Sequence, residues 1–208
     1  MSCCSGCSSY SAAEQQFGSA IARRDLQRYR RKGPDASTRV MLEIVASDVH
    51  AGASLLDIGG GFGVMSFELL SRGVREATLV DASPAYLDAA RSEAERRGVA
   101  SQLRCVGGDV IGVVGSVAPA DVVTMHRVVC CYPEWTSLLA RATTLSRHLL
   151  ALSYPRERWF VRAWMAVDNF RRRIAGHPFR TFLHSTADME EHIAIAGFER
   201  VSRCRTTV

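Results

Sequence analysis

The sequence predicts a single domain of the α/β class, with a doubly wound, mostly parallel sheet covered by helices on both faces. Short continuous apolar runs alternate with helix-like segments along most of the 208 residues, and such runs are typical of parallel strands buried on both faces. A glycine-rich turn at 59–63 follows the first run, and an acidic residue, Asp81, ends the second. In doubly wound sheets, turns at the carboxyl ends of the strands bind ligands.

The elements of the core follow one another as strand and helix. Pro84 opens a helix that Ser83 can cap, because serine accepts hydrogen bonds from free amides and proline suits the first turn. Core helices are predicted at 64–70, 84–97 and 138–146, and strands at 55–58, 76–81, 103–106, 121–125 and 148–153. The predicted strand order is 3-2-1-4-5, with the ligand at the carboxyl ends of strands 1 and 4.

Beyond the fifth strand, helices are predicted at 157–174 and 186–196, and a strand begins within 198–208. The first of these helices ends in an arginine run. Its apolar residues recur at helical spacing and are Trp159, Phe160, Trp164, Val167 and Phe170. Because such a stripe is more often core than ligand site, we expect it to be buried.

The single domain spans 1–208 and divides into five segments: a Cys- and Ser-rich tail (1–20), a basic helical cap (21–50), a ligand-binding core (51–154), an insertion (155–185), and a helix with a strand (186–208). Residues 21–40 of the cap hold seven basic and two acidic residues. We interpret them as a solvated helix face and expect no nucleic-acid partner, since the net charge of +5 is modest and no recognisable nucleic-acid module accompanies it.

The turn Asp57-Ile58-Gly59-Gly60-Gly61-Phe62-Gly63 is typical of a site for a nucleotide-type cofactor. Glycines allow positive φ and let the backbone approach a ligand closely, and free amides at the start of the next helix face the turn. A dinucleotide site prefers a glycine at the position of Val64. A nicotinamide-dependent oxidoreductase is therefore the less favoured alternative.

This turn, together with Asp81 and with Asp109 after the third strand, resembles the class I S-adenosylmethionine (SAM) dependent methyltransferases over about residues 54–154. The resemblance implies a Rossmann-like fold that ends in a strand hairpin, of which this sequence provides only the first arm. A fainter similarity to magnesium-protoporphyrin O-methyltransferases lies in the Arg-Tyr-Arg-Arg segment at 28–31.

The resemblance also implies a role for each motif in binding SAM. Asp81, followed by Ala82, is placed to accept both ribose hydroxyls, as a carboxylate fork can. Asp109 is placed at the adenine amino group, and Val110 packs on the adenine ring. The methionine tail is assigned to Asp57 and the turn amides, namely those of Gly59, Gly60, Gly61 and Gly63.

His126 ends the fourth strand and borders the expected position of the sulfonium. Its pKa range suits a general base, but a hydrogen-bonded histidine that shapes the cofactor pocket is an equal alternative. Tyr132 is the second catalytic candidate. The candidates for contact with the methyl acceptor are Tyr29, Arg127, Tyr154, Trp159 and His184, with Trp164 as a further possibility.

The sequence thus predicts a SAM-dependent methyltransferase that acts on an O, S or N nucleophile of a small molecule, with an acidic or aromatic acceptor favoured. A non-catalytic SAM-binding regulatory protein is the second alternative. The protein is expected to be cytoplasmic, without a membrane span, and to be a monomer or a homodimer. Its cysteines are interpreted as reduced thiols without a metal, although a tail carrying Cys3, Cys4 and Cys7 could approach Cys130 and Cys131.

Overall fold

The fold of the chain is described by a computed structural model that covers residues 16–113 and 116–205. The strands are β1 (Ser54–Ile58), β2 (Glu76–Asp81), β3 (Leu103–Gly107), β4 (Ala120–His126) and β5 (Ser146–Ser153). They form one sheet in the order β3-β2-β1-β4-β5, in which every neighbouring pair is parallel. The predicted α/β class and strand order are both confirmed.

The helices are α1 (Ser19–Lys32), α2 (Ala36–Asp48), α3 (Val64–Leu70), α4 (Pro84–Arg97), α5 (Trp135–Leu145), α6 (Trp159–Ile174) and α7 (Thr186–Ile195). Short 3₁₀ turns lie at Ala100–Gln102 and Val129–Cys131. None of the helices in the described part of the chain is long and apolar enough to cross a membrane.

Helices cover both faces of the sheet because neighbouring residues of each strand point to opposite faces. Leu55 of β1 packs against α2 and α3, whereas Leu56 and Ile58 pack against α5 and α7. All five residues of β1 are buried. This central strand therefore carries the turn that follows it on a rigid support.

The basic cap consists of α1 and α2, and α1 packs over the glycine-rich turn. Leu26 and Tyr29 of α1 join Phe62 of the turn and Tyr86 of α4 in one apolar cluster. Asp35 caps α2 by accepting a 2.9 Å hydrogen bond from Thr38 N. The cap thus encloses one side of the carboxyl edge of the sheet.

Two expectations for the C-terminal third are wrong. The apolar stripe of α6 is exposed, and Trp159 retains 82% of its accessible surface, because α6 turns its other face, with Met165, toward the domain. No strand forms between Phe198 and the last described residue, Arg205. β-propensity alone does not make a strand, which needs a partner to satisfy its backbone groups.

Candidate functional site

The turn between β1 and α3 has the backbone of a ligand-binding loop. Gly59, Gly61 and Gly63 all have positive φ, of 61°, 60° and 89°. A Cβ on Gly59 would lie 2.6 Å from a methyl group of Val128, whereas a Cβ on Gly61 would meet nothing nearer than 3.9 Å. The turn therefore packs tightly against Val128 at Gly59, whereas Gly61 has the Tyr86 ring at ordinary contact distance.

Asp57 lies beneath this turn and is fully buried. Its Oδ1 accepts a 2.8 Å hydrogen bond from Thr124 Oγ1, and its Oδ2 accepts one of 2.9 Å from Ser66 Oγ. Burial raises the pKa of Asp57 to about 6, and the two hydroxyl bonds oppose that rise. The side chain ties β1 to β4 and α3, so it supports the turn from below rather than facing a ligand above it.

Asp81 ends β2 beside the same turn. Its Oδ2 accepts from Gly61 N at 2.8 Å, and its Oδ1 accepts from Ser83 N at 2.8 Å. Burial raises the pKa of Asp81, against the effect of these two backbone bonds. Ala82, the next residue, is half-buried. Each carboxylate oxygen keeps a second acceptor position, which a pair of vicinal hydroxyls can use.

Asp109 follows β3 and connects it to the turn after β4. Its Oδ1 accepts hydrogen bonds from Tyr132 Oη at 2.9 Å and from Ile111 N at 3.0 Å. Burial and the Asp109 charge raise the pKa of Tyr132, so this phenol stays protonated and donates to the carboxylate. Val110, the next residue, is buried in the core.

His126 is held at both nitrogens at the end of β4. Its Nε2 lies 3.1 Å from Thr38 Oγ1, and its Nδ1 lies 2.8 Å from Ser153 Oγ. Thr38 Oγ1 gives its only proton to Asp35, so it accepts from His126, and the imidazole proton is on Nε2. Nδ1 then accepts from the Ser153 hydroxyl, which itself accepts from Arg127 N at 3.0 Å.

This network fits a pocket-shaping histidine better than a general base. Burial, and then the Arg127 charge, lower the pKa of His126 to about 4. The ring is therefore neutral at pH 7, one nitrogen carries its proton, and the lone pair of the other is occupied by Ser153.

Arg127 and Asp35 form an ion pair at the entrance to this region, with Nη1 and Oδ2 3.1 Å apart. Among the residues that the structure describes, Arg127 is the one residue other than glycine with a positive φ. Burial by itself would raise the pKa of Asp35, but the bonds from Thr38 and Ser37 and the Arg127 charge outweigh burial and lower it. The pair fixes the cap to the end of β4.

A cavity lies between the glycine-rich turn, the end of β4 and the cap. Its lining includes four side chains that the sequence patterns did not single out as site residues, namely Asp25, Arg28, Asp35 and Thr38. The N-cap position of Asp35 was visible as Asp-x-x-Thr, but that signal predicts a helix start and not a site. Tyr86 Oη donates to Asp25 at 2.8 Å and orients this carboxylate.

The structure brings two of the five predicted acceptor contacts to this cavity, Tyr29 and Arg127. The other three lie elsewhere. His184 Nε2 donates to the carbonyls of Val129 and Tyr132, Tyr154 packs against the core near α7, and Trp159 faces outward.

Cys130 and Cys131 lie on the 3₁₀ turn after β4, and their sulfurs are 3.5 Å and 3.7 Å from the carbonyl oxygen of Arg127. The described residues contain no group of three or more side chains that could hold a metal ion. Cys3, Cys4 and Cys7 lie outside the described residues, so their predicted approach to this pair stays a prediction.

Comparison with known proteins finds that part of this chain is similar to methyltransferases. Residues 55–149, a little under half of the chain, match a family model described as a methyltransferase domain. A stretch of 71 residues, or 34% of this chain, is 34% identical to 24% of a ribosomal protein L11 methyltransferase from Vibrio campbellii. A stretch of 77 residues, or 36% of this chain, is 38% identical to 31% of a ubiquinone/menaquinone biosynthesis C-methyltransferase from Roseobacter denitrificans.

The chain therefore covers about a quarter to a third of the length of these curated relatives. Among solved structures, an O-methyltransferase family protein from Burkholderia thailandensis superposes with a TM-score of 0.67 at 18% identity. That match covers 93% of this chain and 60% of the other, and at this identity it shows the shared fold.

Proposed function

We propose that the chain is a class I SAM-dependent methyltransferase, and that it transfers a methyl group from SAM to an O, S or N nucleophile of a small molecule. The observation that carries this proposal is the hydrogen bond of 2.8 Å from Gly61 N to Asp81 Oδ2. It holds a buried carboxylate against the glycine-rich turn, at the carboxyl edge of β1 and β2.

The residues at this edge fit SAM chemically. Asp81 can accept the ribose hydroxyls, because its oxygens keep acceptor positions beyond the two backbone bonds. The glycine-rich turn borders the cavity through Gly59 and Gly60, which gives a ligand access to the turn. Asp109 has an acceptor oxygen for the adenine amino group, and Asp57 would act indirectly by holding the turn in shape.

SAM, when bound, supplies a methyl group that its sulfonium already activates for nucleophilic attack. The residues of this chain would then contribute mainly by placing the acceptor in line, which alone can supply a large part of a rate enhancement. His126 would act as a positioning residue, since both of its nitrogens are engaged. Tyr132 would fix Asp109 rather than transfer a proton.

The cavity lining favours an acidic or aromatic acceptor. The ring of Tyr29 lies 5.5 Å from that of Phe62, and both side chains line the cavity. Arg28 also lines it, and the described residues place no carboxylate within 4.0 Å of this guanidinium. An acceptor with a carboxylate near an aromatic ring would use both kinds of contact.

The proposal is tested in two steps. Calorimetry should show that the protein binds SAM and S-adenosylhomocysteine but not NAD. Release of S-adenosylhomocysteine should then be measured on a panel of small carboxylates, phenols, thiols and amines. Binding of NAD alone would support the oxidoreductase alternative, and SAM binding without turnover on any acceptor would favour a regulatory protein.

If turnover is measured only with a ribosomal protein or an RNA, the methyl acceptor is a macromolecule and not a small molecule. We also propose a cytoplasmic location, where free thiols such as those of Cys130 and Cys131 stay reduced.

A further inference from the structure

Helix α6 turns its apolar face away from the protein. Met165 packs inward and is buried, and Asn169 Nδ2 donates to the Thr181 carbonyl at 2.7 Å. Arg172 pairs with Asp168 at 2.7 Å on the same inward side. The helix is thus fixed to the domain through a mostly polar face, which is the reverse of an ordinary surface helix.

The outward face is a continuous apolar stripe. Trp159, Trp164 and Ile174 retain 82%, 67% and 73% of their accessible surface. The stripe consists of Trp159, Phe160, Trp164, Val167, Phe170 and Ile174, all exposed. At 100° per residue these positions fall within less than half of the helix circumference. Contiguous apolar surface of this kind marks an interaction site.

Positive charge borders the stripe. Arg162, Arg171 and Arg173 are exposed, and no carboxylate of the described residues lies within 4.0 Å of their guanidinium groups. Arg156 and Arg158 precede the helix, and the Arg158 charge lowers the pKa of Arg156, so like charges crowd at this end. The only carboxylate of α6, that of Asp168, is already paired on the inward side.

We propose that α6 binds the surface of an anionic lipid bilayer, with its tryptophans and phenylalanines in the interface and its arginines at the lipid headgroups. A helix with an aromatic apolar face and arginines beside it is the pattern of helices that lie in the plane of a membrane. At 16 residues, α6 is about 24 Å long, too short to cross the roughly 30 Å hydrocarbon core. This inference does not depend on the proposed transferase activity.

Charge disfavours a second copy of the chain as the occupant. A two-fold pairing of α6 helices would bring Arg171 and Arg173 of one copy toward Arg158 and Arg162 of the other. The outward face offers no carboxylate to offset that repulsion. Anionic headgroups complement the arginines, and the membrane interface accommodates tryptophan.

The experiment uses the full chain and vesicles of phosphatidylcholine with or without 30% phosphatidylserine, at ~100 mM salt. We expect sedimentation with the anionic vesicles, little with the neutral ones, and release as salt rises. Trp164→Ala with Phe170→Ala should lower the partition coefficient at least ten-fold. Arg171→Gln with Arg173→Gln should lower it roughly 25-fold, about five-fold for each arginine.

Matched controls lie outside the stripe. Ile195→Ala removes an apolar side chain that is 80% exposed, and Arg104→Gln removes an exposed arginine of β3; both should bind like the wild type. Circular dichroism and the unfolding midpoint verify that every variant is folded. Absence of binding to anionic vesicles, or equal loss in the controls, would overturn the proposal. Dimerisation that the α6 substitutions abolish, without vesicle binding, would assign the stripe to a second copy.

Discussion

The backbone N–H of Gly61 donates a 2.8 Å hydrogen bond to Oδ2 of Asp81. Oδ1 of the same carboxylate accepts a hydrogen bond from Ser83 N, and Ser83 is the N-cap residue of α4. One buried side chain therefore fixes the shape of the glycine-rich turn and joins it to the start of α4. In the proposed placement of SAM, ligand binding and turn geometry are coupled at this residue, which makes Asp81 the most informative position to change.

We expect Asp81→Ala to weaken SAM binding by roughly 1.5–3 kcal/mol, the range for hydrogen bonds to a charged group. The loss has two sources, because the ribose hydroxyls lose an acceptor and the Gly61 amide is released. Calorimetry on the folded variant measures the change. Asp88→Ala is the control, since Asp88 is exposed and pairs only with Arg91 among the described residues. Unchanged affinity in Asp81→Ala would place the ribose elsewhere.

Substitutions of two neighbouring glycines should have different effects on the protein. A Cβ on Gly60 would lie 2.3 Å from Asp57 Oδ2, so Gly60→Ala should destabilise the fold. A Cβ on Gly61 is free of contacts below 3.9 Å, and Gly61→Val should lose SAM binding while costing roughly 1–2 kcal/mol of stability from its positive φ. Urea unfolding and calorimetry separate the two effects. A stable Gly61→Val variant with wild-type affinity would contradict the placement of SAM over the turn.

The sheet could be predicted because its strands are buried on both faces and read as continuous apolar runs. The bounds of β2 and α4 were predicted to the residue, since Asp81 and the Ser83-Pro84 pair mark a strand end and a helix start. Periodicity also located the stripe of α6. It could not tell which side of the helix faces the domain, because a membrane or partner surface requires the same pattern as a core.

The sequence predicted only those parts of the candidate site that lie in recognisable motifs. Asp57 and Asp81 lie at the carboxyl ends of β1 and β2, and Asp109 follows β3. Their positions at one edge of the sheet were therefore expected. The contact of His126 with Thr38 joins residues 88 positions apart, and no local signal connects them. Likewise, Asp57 next to a glycine turn gives no indication that its carboxylate points into the core.

Tyr132 provides a test of whether a phenol takes part in proton transfer. Its hydroxyl donates to Asp109 at 2.9 Å, so Tyr132→Phe should lower the free energy of unfolding by roughly 1.5–3 kcal/mol. Because burial raises the pKa of Tyr132, turnover at saturating SAM should fall less than ten-fold. A loss of 10²–10⁴-fold with unchanged stability, the usual contribution of a general acid or base, would make Tyr132 catalytic.

His126 should affect binding and turnover together if it shapes the pocket. In His126→Ala, Thr38 and Ser153 lose their shared partner, and both SAM affinity and turnover should decline. His126→Asn retains one donor and one acceptor and should recover much of both. The opposite result, wild-type SAM affinity with turnover lowered about 10²–10⁴-fold and no recovery in His126→Asn, would identify a general base.

The pH dependence of stability measures the His126 environment without any substrate. Its pKa is lowered from 6.5 to about 4 in the folded protein, so between these values the unfolded chain binds the proton more tightly. The contribution of His126 to the free energy of unfolding is therefore fully present above pH 6.5 and is lost as the pH falls toward 4. At pH 5 the loss amounts to about 2 kcal/mol.

Urea unfolding of the wild type and of His126→Asn at pH 7.5 and pH 5 isolates this contribution. The raised pKa of Asp57, about 6, acts in the opposite direction, because the folded protein then binds the proton more tightly and gains stability as the pH falls through 6. Since Asp57 is present in both proteins, its effect cancels in the difference between them. We expect the wild type to lose about 2 kcal/mol more than His126→Asn on going to pH 5. An equal loss in both would mean that the His126 imidazole is hydrated and titrates normally, and the network with Thr38 and Ser153 would then not hold it in solution.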